Sequence, residues 1–260
     1  MNGQALKAEW IKMKRARIRW VTFVAFSLAP VLGGVFILII RDPVALSKSG
    51  AFSTKAQVMN FSADWNSYLM LLKQAVGVGG ILVFGFVASW IFGREYSDGT
   101  AKDLLSLPTS RARILNAKFV VYAVWCAALA VSNLLTGFLI GSILQLPAPE
   151  TSVVLGHLND YCLTTLLTVL LGTPIAFFAL WGKGYLAPLA FVSLTLVFAQ
   201  VIAATGYGSY FPWSVPGLFS GAAGSYKEQL DIVSYSILVG TSIAGYTATV
   251  MFWRYADQNK

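Results

Sequence analysis

The chain has 260 residues, of which 57% are hydrophobic and only 12% are charged, and its net charge is +8. Soluble proteins carry about 25% charged residues, so this composition excludes a soluble fold and requires lipid as part of the solvent. The positive charge does not indicate nucleic-acid binding, because the basic residues lie at the ends of apolar runs, as topology-setting charges do.

Six stretches contain no Asp, Glu, Lys or Arg and are long enough to cross a bilayer. At about 1.5 Å per residue, about 20 helical residues span a hydrocarbon core of about 30 Å. Backbone in lipid must satisfy its own hydrogen bonds, so each stretch is predicted to be a helix. The stretches are Trp20–Ile40, Gln74–Phe92, Phe119–Leu146, Tyr161–Trp181, Tyr185–Thr205 and Ile232–Trp253. The sequence therefore predicts an all-α integral membrane protein that forms a single domain over residues 1–260.

Residues 1–19 precede the first stretch and carry six Lys or Arg residues. Leu6, Trp10 and Met13 have the i, i+4, i+7 spacing of one helix face,. This pattern predicts an interfacial elbow helix on the inner leaflet, with a plain basic flank as the alternative. The apolar run that follows has 21 residues. A signal-peptide core has about 7–15, so the run indicates an uncleaved first span.

Lys and Arg residues are distributed unevenly between the two sides of the predicted bundle. One side holds fourteen of them and the other holds five. The side richer in Lys and Arg is expected to be cytoplasmic, which places both termini inside the cell. The predicted inner segments are residues 1–19, 93–118 and 254–260, and the predicted outer segments are residues 41–73, 147–160 and 206–231.

The inner loop 93–118 has the features of a short helical surface outside the membrane. Gly99 permits a sharp turn. Thr100 and Asp103 have the spacing of a capping box, which predicts a helix that Pro108 ends,. The loop is too small to fold alone. We therefore expect it to dock a soluble partner, and a plain connector is the alternative.

Charged residues are expected only at the span ends, where the sequence places Lys73 and Asp160. Proton-coupled carriers usually keep an acidic or histidine relay in the membrane, although each charge costs at least about 2.5–3.5 kcal/mol there. The sequence therefore disfavours such a carrier. Four neutral polar residues are candidates for a substrate path or for hydrogen bonds between helices, namely Asn133, Thr136, Thr165 and Gln200.

Neither a catalytic constellation nor a metal site is visible in the sequence. His157 is the only histidine and is expected in an outer surface loop, while Cys126 and Cys162 are expected to be buried in separate stretches. One histidine and two separated cysteines cannot form an ordinary zinc site. The phosphate-binding loop Gly-x-x-x-x-Gly-Lys-Ser/Thr is absent, so we expect no ATP site on this chain.

Residues 206–231 combine helix-breaking residues with apolar side chains. Pro212 and Pro216 forbid a continuous helix,. Neighbours such as Trp213 are nevertheless too apolar for a freely solvated loop. Irregular backbone at membrane depth persists only where protein or a water-filled cavity covers it. We therefore expect a re-entrant pair of short helices on the outer side, with an aromatic interfacial loop as the alternative.

Two motifs resemble the ABC-2 type exporter permeases. Residues 94–100 read Arg-Glu-Tyr-Ser-Asp-Gly-Thr and follow the second stretch, where those permeases commonly carry Glu and then Gly-Thr. Residues 211–216 read Phe-Pro-Trp-Ser-Val-Pro, similar to the Pro-Trp-x-x-Pro of permeases for bacitracin resistance and lantibiotic self-protection. The resemblance covers essentially the whole chain. It includes a basic elbow, six spans, a cytoplasmic coupling helix between the second and third spans, and an apolar outer segment before the sixth.

The resemblance implies that Glu95, Gly99 and Thr100 shape a joint with a separate ATP-binding subunit. The residues that follow would form the contact, namely Lys102, Asp103, Leu104, Arg111 and Arg113. It further implies a bacterial plasma-membrane complex of two permease subunits, identical or different, and two ATP-binding subunits. ATP and magnesium would bind in the partner, and this chain would be non-catalytic and would bind no cofactor.

The function that this resemblance implies is ATP-driven export of a hydrophobic or amphipathic substrate, such as a peptide antibiotic. Two alternatives stay open at this point. A membrane anchor or sensor that recruits an ATPase would keep the same docking loop. A secondary carrier is disfavoured by the lack of an intramembrane charge and of an internal repeat.

Overall fold

The computed structural model of the protein describes residues 2–42, 50, 54, 61–100, 109–147, 150–222 and 230–255. Within these ranges the regular secondary structure is entirely helical. Six helical segments are long and apolar enough to cross a membrane, which confirms the predicted all-helical fold with six spans. They are span 1, Ile18–Arg41; span 2, Trp65–Ser97; span 3, Arg111–Ile143; span 4, Thr151–Trp181; span 5, Leu186–Ala204; and span 6, Ile232–Tyr255.

An additional helix, Asn2–Arg15, precedes span 1 and packs along span 3. The chain turns at Ala16, whose amide donates to the Met13 carbonyl at 3.1 Å, before span 1 begins. Met13 is buried, as expected for the apolar face of this helix. The helix is therefore present where the sequence predicts an elbow, and its position on the membrane surface stays a prediction.

Span 2 forms the centre of the bundle. In its most apolar window 61% of the residues are buried, compared with 22% in span 5. Span 2 contacts spans 1, 3, 4 and 5. It consists of the helix Trp65–Gln74, a π-helical turn at Ala75–Gly79 and the helix Gly80–Ser97. Asp64 caps its start, because its carboxylate accepts a hydrogen bond from the Ser67 amide at 2.8 Å,.

Span 4 is divided into the helices Thr151–Leu170 and Gly172–Trp181. Pro174 explains the break, because proline has no amide hydrogen and its ring clashes with the carbonyl four residues earlier. The second helix packs closely on span 6, where the Thr173 hydroxyl donates to the Ser242 carbonyl at 2.7 Å.

Spans 3 and 4 extend beyond the predicted stretches. Span 3 begins at Arg111 rather than Phe119, and span 4 begins at Thr151 rather than Tyr161. The prediction that His157 lies in an outer loop was therefore wrong. It lies in the span 4 helix, and its Nε2 atom is 2.6 Å from Asn66 Oδ1.

The prediction that Lys73 and Asp160 lie at span ends was also wrong, because they are the ninth residue of span 2 and the tenth residue of span 4. Lys73 lies inside span 2 and is 6% exposed, and its ammonium is 2.9 Å from the carboxylate of Asp160 in span 4. Two charges that neutralise each other across neighbouring helices can be accommodated within a bundle. Cys126 is buried as predicted, whereas Cys162 is exposed on span 4, contrary to the prediction.

Candidate functional site: the charged end of span 2

Span 2 ends in a tightly hydrogen-bonded turn. The Thr100 amide donates to the Glu95 carbonyl at 2.9 Å, and the Gly99 amide donates to the Tyr96 carbonyl at 3.2 Å. Gly99 has a φ of +71°. This combination is a Schellman motif, which needs a residue with positive φ and so favours glycine. The predicted sharp turn at Gly99 is confirmed. Thr100 closes span 2, and the helix predicted to follow it lies outside the described residues.

A lysine with no exposed surface is the centre of the charge cluster beside this turn. Lys118, in span 3, donates to Glu95 Oε1 at 2.8 Å and to the Ile91 carbonyl at 2.9 Å, both in span 2. It also donates to Glu9 Oε2 of the N-terminal helix at 3.3 Å. One buried ammonium therefore joins three helices.

Two further cations complete this charge cluster, which consists of Glu9, Lys12, Arg94, Glu95 and Lys118. Lys12 lies 3.0 Å from Glu9 and 3.3 Å from Glu95. Arg94 contacts Glu95 at 3.3 Å, and its guanidinium stacks over the ring of Trp90. Removing one partner of a buried ion pair costs about 3–5 kcal/mol, because the other charge stays buried without compensation. The cluster should therefore behave as one unit.

Glu95 has one carboxylate oxygen that the cluster does not use. Its Oε2 atom is buried and accepts no hydrogen bond from any side chain or backbone group in the described ranges. Glu95 also lines an open cavity of about 400 Å³ at this end of the bundle. The other residues that line the cavity are Lys12, Arg15, Ala16, Trp90, Arg94, Asp98 and Thr100. Most of its charged groups are cationic.

Two more segments meet at the same end of the bundle. A Cβ atom on Gly93 would lie 2.5 Å from the Gly184 carbonyl oxygen, so only glycine permits this approach of the connection between spans 4 and 5. Arg111 donates to the carbonyl of Trp253 at 3.2 Å, at the carboxyl end of span 6. A cation is favoured there by the helix dipole.

The residues predicted for the joint and contact thus have different surroundings. Glu95 is buried in the charge cluster, Arg111 binds the end of span 6, and Arg113 is exposed. Lys102, Asp103 and Leu104 lie outside the described residues. Glu9, Gly93 and Lys118 were not predicted. Glu9 could have been noticed as the only acidic residue in a segment with six basic ones.

The π-helical turn of span 2 and the residue before it pack against the outer segment, residues 206–222. This segment contains a short 3₁₀ helix, Gly208–Tyr210, and a short α-helix, Val215–Phe219. Pro212, Trp213 and Pro216 are all buried. The ring of Trp213 meets that of Phe191 in span 5 edge to face, with centroids 5.5 Å apart. The segment is therefore packed into the bundle, while its depth in the bilayer stays a prediction.

The outer segment contacts the π-helical turn of span 2 directly. A Cβ atom on Gly77 would lie 2.6 Å from the Pro216 carbonyl oxygen, so the two backbones approach as closely as glycine allows. The Gln74 amide donates to the Gly221 carbonyl at 3.2 Å. Single π-helical turns occur frequently at functional sites in helices.

The four residues predicted to line a path differ in their surroundings. Asn133 is completely buried; it donates to the Phe26 carbonyl at 3.2 Å and accepts from the Tyr161 hydroxyl at 3.2 Å. The hydroxyls of Thr136 and Thr165 donate to carbonyls of their own helices. Gln200 is exposed and lines a cavity of about 410 Å³ between spans 1, 2 and 5. Of the four, Gln200 is thus the one that lines this cavity.

Comparison with known proteins gives a family and a distant relative. The family model described as "ABC-2 family transporter protein" matches residues 5–201. The bacitracin transport permease protein BCRB of Bacillus licheniformis is 26% identical over 196 residues, which cover 75% of this chain and 90% of that protein. No solved structure matches the chain. Within the described ranges, no three His, Cys, Asp or Glu residues are grouped so that they could hold a metal ion.

Proposed function

The chain belongs to the ABC-2 transporter family and is a multi-pass membrane subunit, and from that premise we propose that it exports its substrate using a separate ATP-binding subunit. The family match covers the N-terminal helix, spans 1 to 4 and most of span 5. The same match includes the charge cluster and the Gly99 turn, so the proposed joint lies within the family region.

We place the charged end of span 2 in the cytoplasm. The N-terminal helix, the start of span 3 and the end of span 6 meet at this end. Residues 1–19, 93–118 and 254–260, the parts of the chain to which these segments belong, hold 13 of the 19 Lys and Arg residues. The positive-inside rule favours this orientation.

The observation that carries the proposal is the position of Lys118. It fixes the N-terminal helix and span 3 to span 2 within one turn of Gly99, where the loop predicted to dock the partner begins. A partner that pulls on that loop would therefore move three helices together. Arg113 is exposed beside the cluster and is available for contact. The ATP-binding subunit would supply ATP, magnesium and hydrolysis.

Span 2 would carry this movement across the membrane. It is the most buried span, and its π-helical turn contacts the outer segment through Gly77. Packed helices transmit displacement because protein interiors resist compression. The π-helical turn that contains Gly77 is a natural place for the movement to be converted into a change of the outer segment,.

The proposed cargo is a hydrophobic or amphipathic peptide antibiotic. The similarity to a bacitracin transport permease supports this class. The cavity beside Gln200 is lined mostly by small and apolar residues of spans 1 and 2, as an amphipathic cargo requires. A second permease subunit, identical or different, would complete the complex and cover part of the apolar surface that spans 1 and 5 expose.

The test is ATP-driven accumulation of labelled bacitracin in inside-out vesicles that contain this chain and a candidate ATP-binding subunit. Trp213→Ala should reduce accumulation at equal protein level, because it removes the largest apolar group of the outer segment. Trp181→Ala is the matched control, since Trp181 is largely exposed at the end of span 4. Equal transport by the Trp213 variant and the unaltered protein would contradict a role for this segment.

The two alternatives have different consequences in the same assay. A sensor that recruits an ATPase would assemble with its partner and support ATP hydrolysis without accumulating cargo. A secondary carrier would accumulate cargo in response to a proton gradient without ATP. The Lys73–Asp160 pair places charges within the spans, so the lack of an intramembrane charge no longer disfavours a secondary carrier. The case against a carrier now rests on membership of the ABC-2 family.

A further inference from the structure

A groove of about 360 Å³ lies between the N-terminal helix, span 1 and span 3. Most of its wall is apolar. The residues that line it are Trp10, Met13, Lys14, Arg19, Trp20, Phe23, Val124, Trp125 and Ala128. Trp20 is 66% exposed and Val124 is 41% exposed, so the groove opens to the outside of the bundle, where lipid surrounds the protein.

The polar side of this groove is entirely basic. Lys14 lies over the ring of Trp10 at 5.6 Å, and Arg19 lies over the ring of Trp20 at 5.1 Å. The described residues that line the groove include no carboxylate. Glu9, the acidic residue of the N-terminal helix, is buried against Lys118 in the charge cluster. An occupant with negative charge would therefore complement the two cations.

The groove wall is held in place by contacts that do not involve the cations. The Trp125 indole donates to the Thr22 hydroxyl at 3.3 Å, which ties span 3 to span 1. The ring of Trp90 in span 2 packs edge to face on Trp125, with centroids 5.7 Å apart. The apolar surface is thus formed before any ligand binds.

We propose that this groove is a binding site for one anionic phospholipid. Its phosphate pairs with Lys14 and Arg19, and an acyl chain lies against Phe23, Val124 and Ala128. The basic residues lie where the charged N-terminal segment meets the apolar span 1, the level at which a phospholipid changes from headgroup to acyl chain,. The proposal needs only the membrane location of the chain and does not depend on its transport function.

The bound lipid would have a consequence for the charge cluster. Trp10, Met13 and Lys14 belong to the same helix as Glu9. A lipid that holds one face of this helix would keep Glu9 against Lys118 on another face. Anionic lipid would therefore stabilise the arrangement of the N-terminal helix on spans 2 and 3.

The experiment is native mass spectrometry of the purified full-length chain from nanodiscs that contain equal amounts of phosphatidylglycerol and phosphatidylcholine. We expect one retained phosphatidylglycerol. K14Q/R19Q should weaken its retention on the order of thirtyfold, since each of the two basic residues near an anionic lipid surface contributes about 1 kcal/mol. K7Q/R17Q is the matched control, because it removes two exposed cations of the same segment that do not line the groove.

A second pair of variants tests the apolar part of the site. Ala128→Phe should displace the acyl chain and reduce retention, whereas Ala127→Phe changes an exposed neighbour outside the groove and should not. Equal losses in K14Q/R19Q and K7Q/R17Q would overturn the proposal in favour of diffuse attraction. Unchanged lipid retention together with loss of a dimer in Ala128→Phe would also overturn it, because a second copy of the chain would then occupy the groove.

Discussion

Two regions of span 2 are both buried, but they are held by different forces. At the charged end, Glu95 contacts Lys118 at 2.8 Å within a cluster of five charged residues. At the π-helical turn, Gly77 approaches the backbone of Pro216, and close packing and one hydrogen bond from Gln74 hold the contact. Eighteen residues separate Gly77 from Glu95, which is about 27 Å along a helix,.

This difference suggests how the span works. Buried charges form a unit that is costly to break, so the end at Glu95 is suited to receive force from a partner without deforming. Packing between backbones acts only at contact, and single π-helical turns occur frequently at functional sites in helices. The turn at Gly77 is therefore suited to change shape when the charged end moves. Each prediction below breaks one of the contacts of span 2 or measures how firmly it is held.

The largest effect is expected when the centre of the charge cluster is removed. Lys118→Met keeps an unbranched side chain that is one atom shorter but leaves Glu9 and Glu95 buried without their shared cation. We expect a loss of about 3–5 kcal/mol in the free energy of unfolding. The midpoint of thermal unfolding in detergent measures it.

Arg113→Met is the matched control for this substitution. Arg113 lies in the same helix but is exposed, so its replacement should change stability by less than about 0.5 kcal/mol,. Adding Glu95→Gln to Lys118→Met should restore part of the loss by removing a buried charge. Equal stabilities of the Lys118 and Arg113 variants would show that the cluster is not a structural unit.

A smaller effect is expected at the π-helical turn of span 2. Gly77→Val places side-chain atoms against the Pro216 carbonyl and the Ser220 side chain, and should cost about 1–3 kcal/mol through overpacking,. Gly79→Val is the control, because nothing lies within 4 Å of a Cβ atom at Gly79. Trypsin sensitivity and unfolding temperature should change only in the first variant. Equal behaviour would show that the outer segment does not need this close contact.

The turn at Gly99 should tolerate substitution better than either the charge cluster or the contact at Gly77. Its φ of +71° is strongly disfavoured for a β-branched residue, so Gly99→Val should cost about 1–2 kcal/mol,. Because space around Gly99 is open, the effect should come from the backbone and not from a clash. Gly99→Asn tolerates positive φ and should recover most of the binding to the ATP-binding subunit, measured by co-purification. A Val variant that binds as well as the unaltered protein would argue against a fixed turn.

The smallest effect is expected at the start of span 2, where Asp64 caps the helix. Burial would raise the pKa of Asp64, but hydrogen bonds from Ser62 and Ser67 lower it below the ordinary value of 3.8. This contribution to stability is therefore present above about pH 4 and is lost as the pH falls through the folded-state pKa. Asp64→Ala should cost about 1 kcal/mol at pH 7.

The loss in Asp64→Ala should disappear at a pH below the folded-state pKa, because the carboxylate of the unaltered protein is then neutral as well. Unfolding temperatures at pH 7 and in acid measure this difference. A loss that is the same at every pH would assign the effect to packing and not to the carboxylate.

The six spans could be predicted because apolar length is a local property of the chain. The turn at Gly99 could also be predicted, since glycine after a charged, polar end of a span is a local signal. The buried position of Lys118 in the charge cluster could not be predicted, because a lysine at the edge of an apolar stretch has the pattern of a charge that sets topology. Its partner Glu9 lies 109 residues away in sequence.

The Lys73–Asp160 pair was missed for the same reason. Each residue alone ends an apolar stretch, and only the fold shows that the two neutralise each other between spans 2 and 4. The outer segment was easier to interpret, because Pro212 and Pro216 interrupt a helix and Trp213 is too apolar to be left in solvent. Its contact with Gly77 depends on two regions that only the tertiary structure joins.

The central claim is that the charged end of span 2 faces the ATP-binding subunit and the outer segment does not. Site-specific photo-crosslinking tests it most directly, with a benzoylphenylalanine at position 113 or at position 207, both of which are exposed. We expect a crosslinked product with the ATP-binding subunit from position 113 and none from position 207. A product from position 207, or none from position 113 in an assembled complex, would contradict the account.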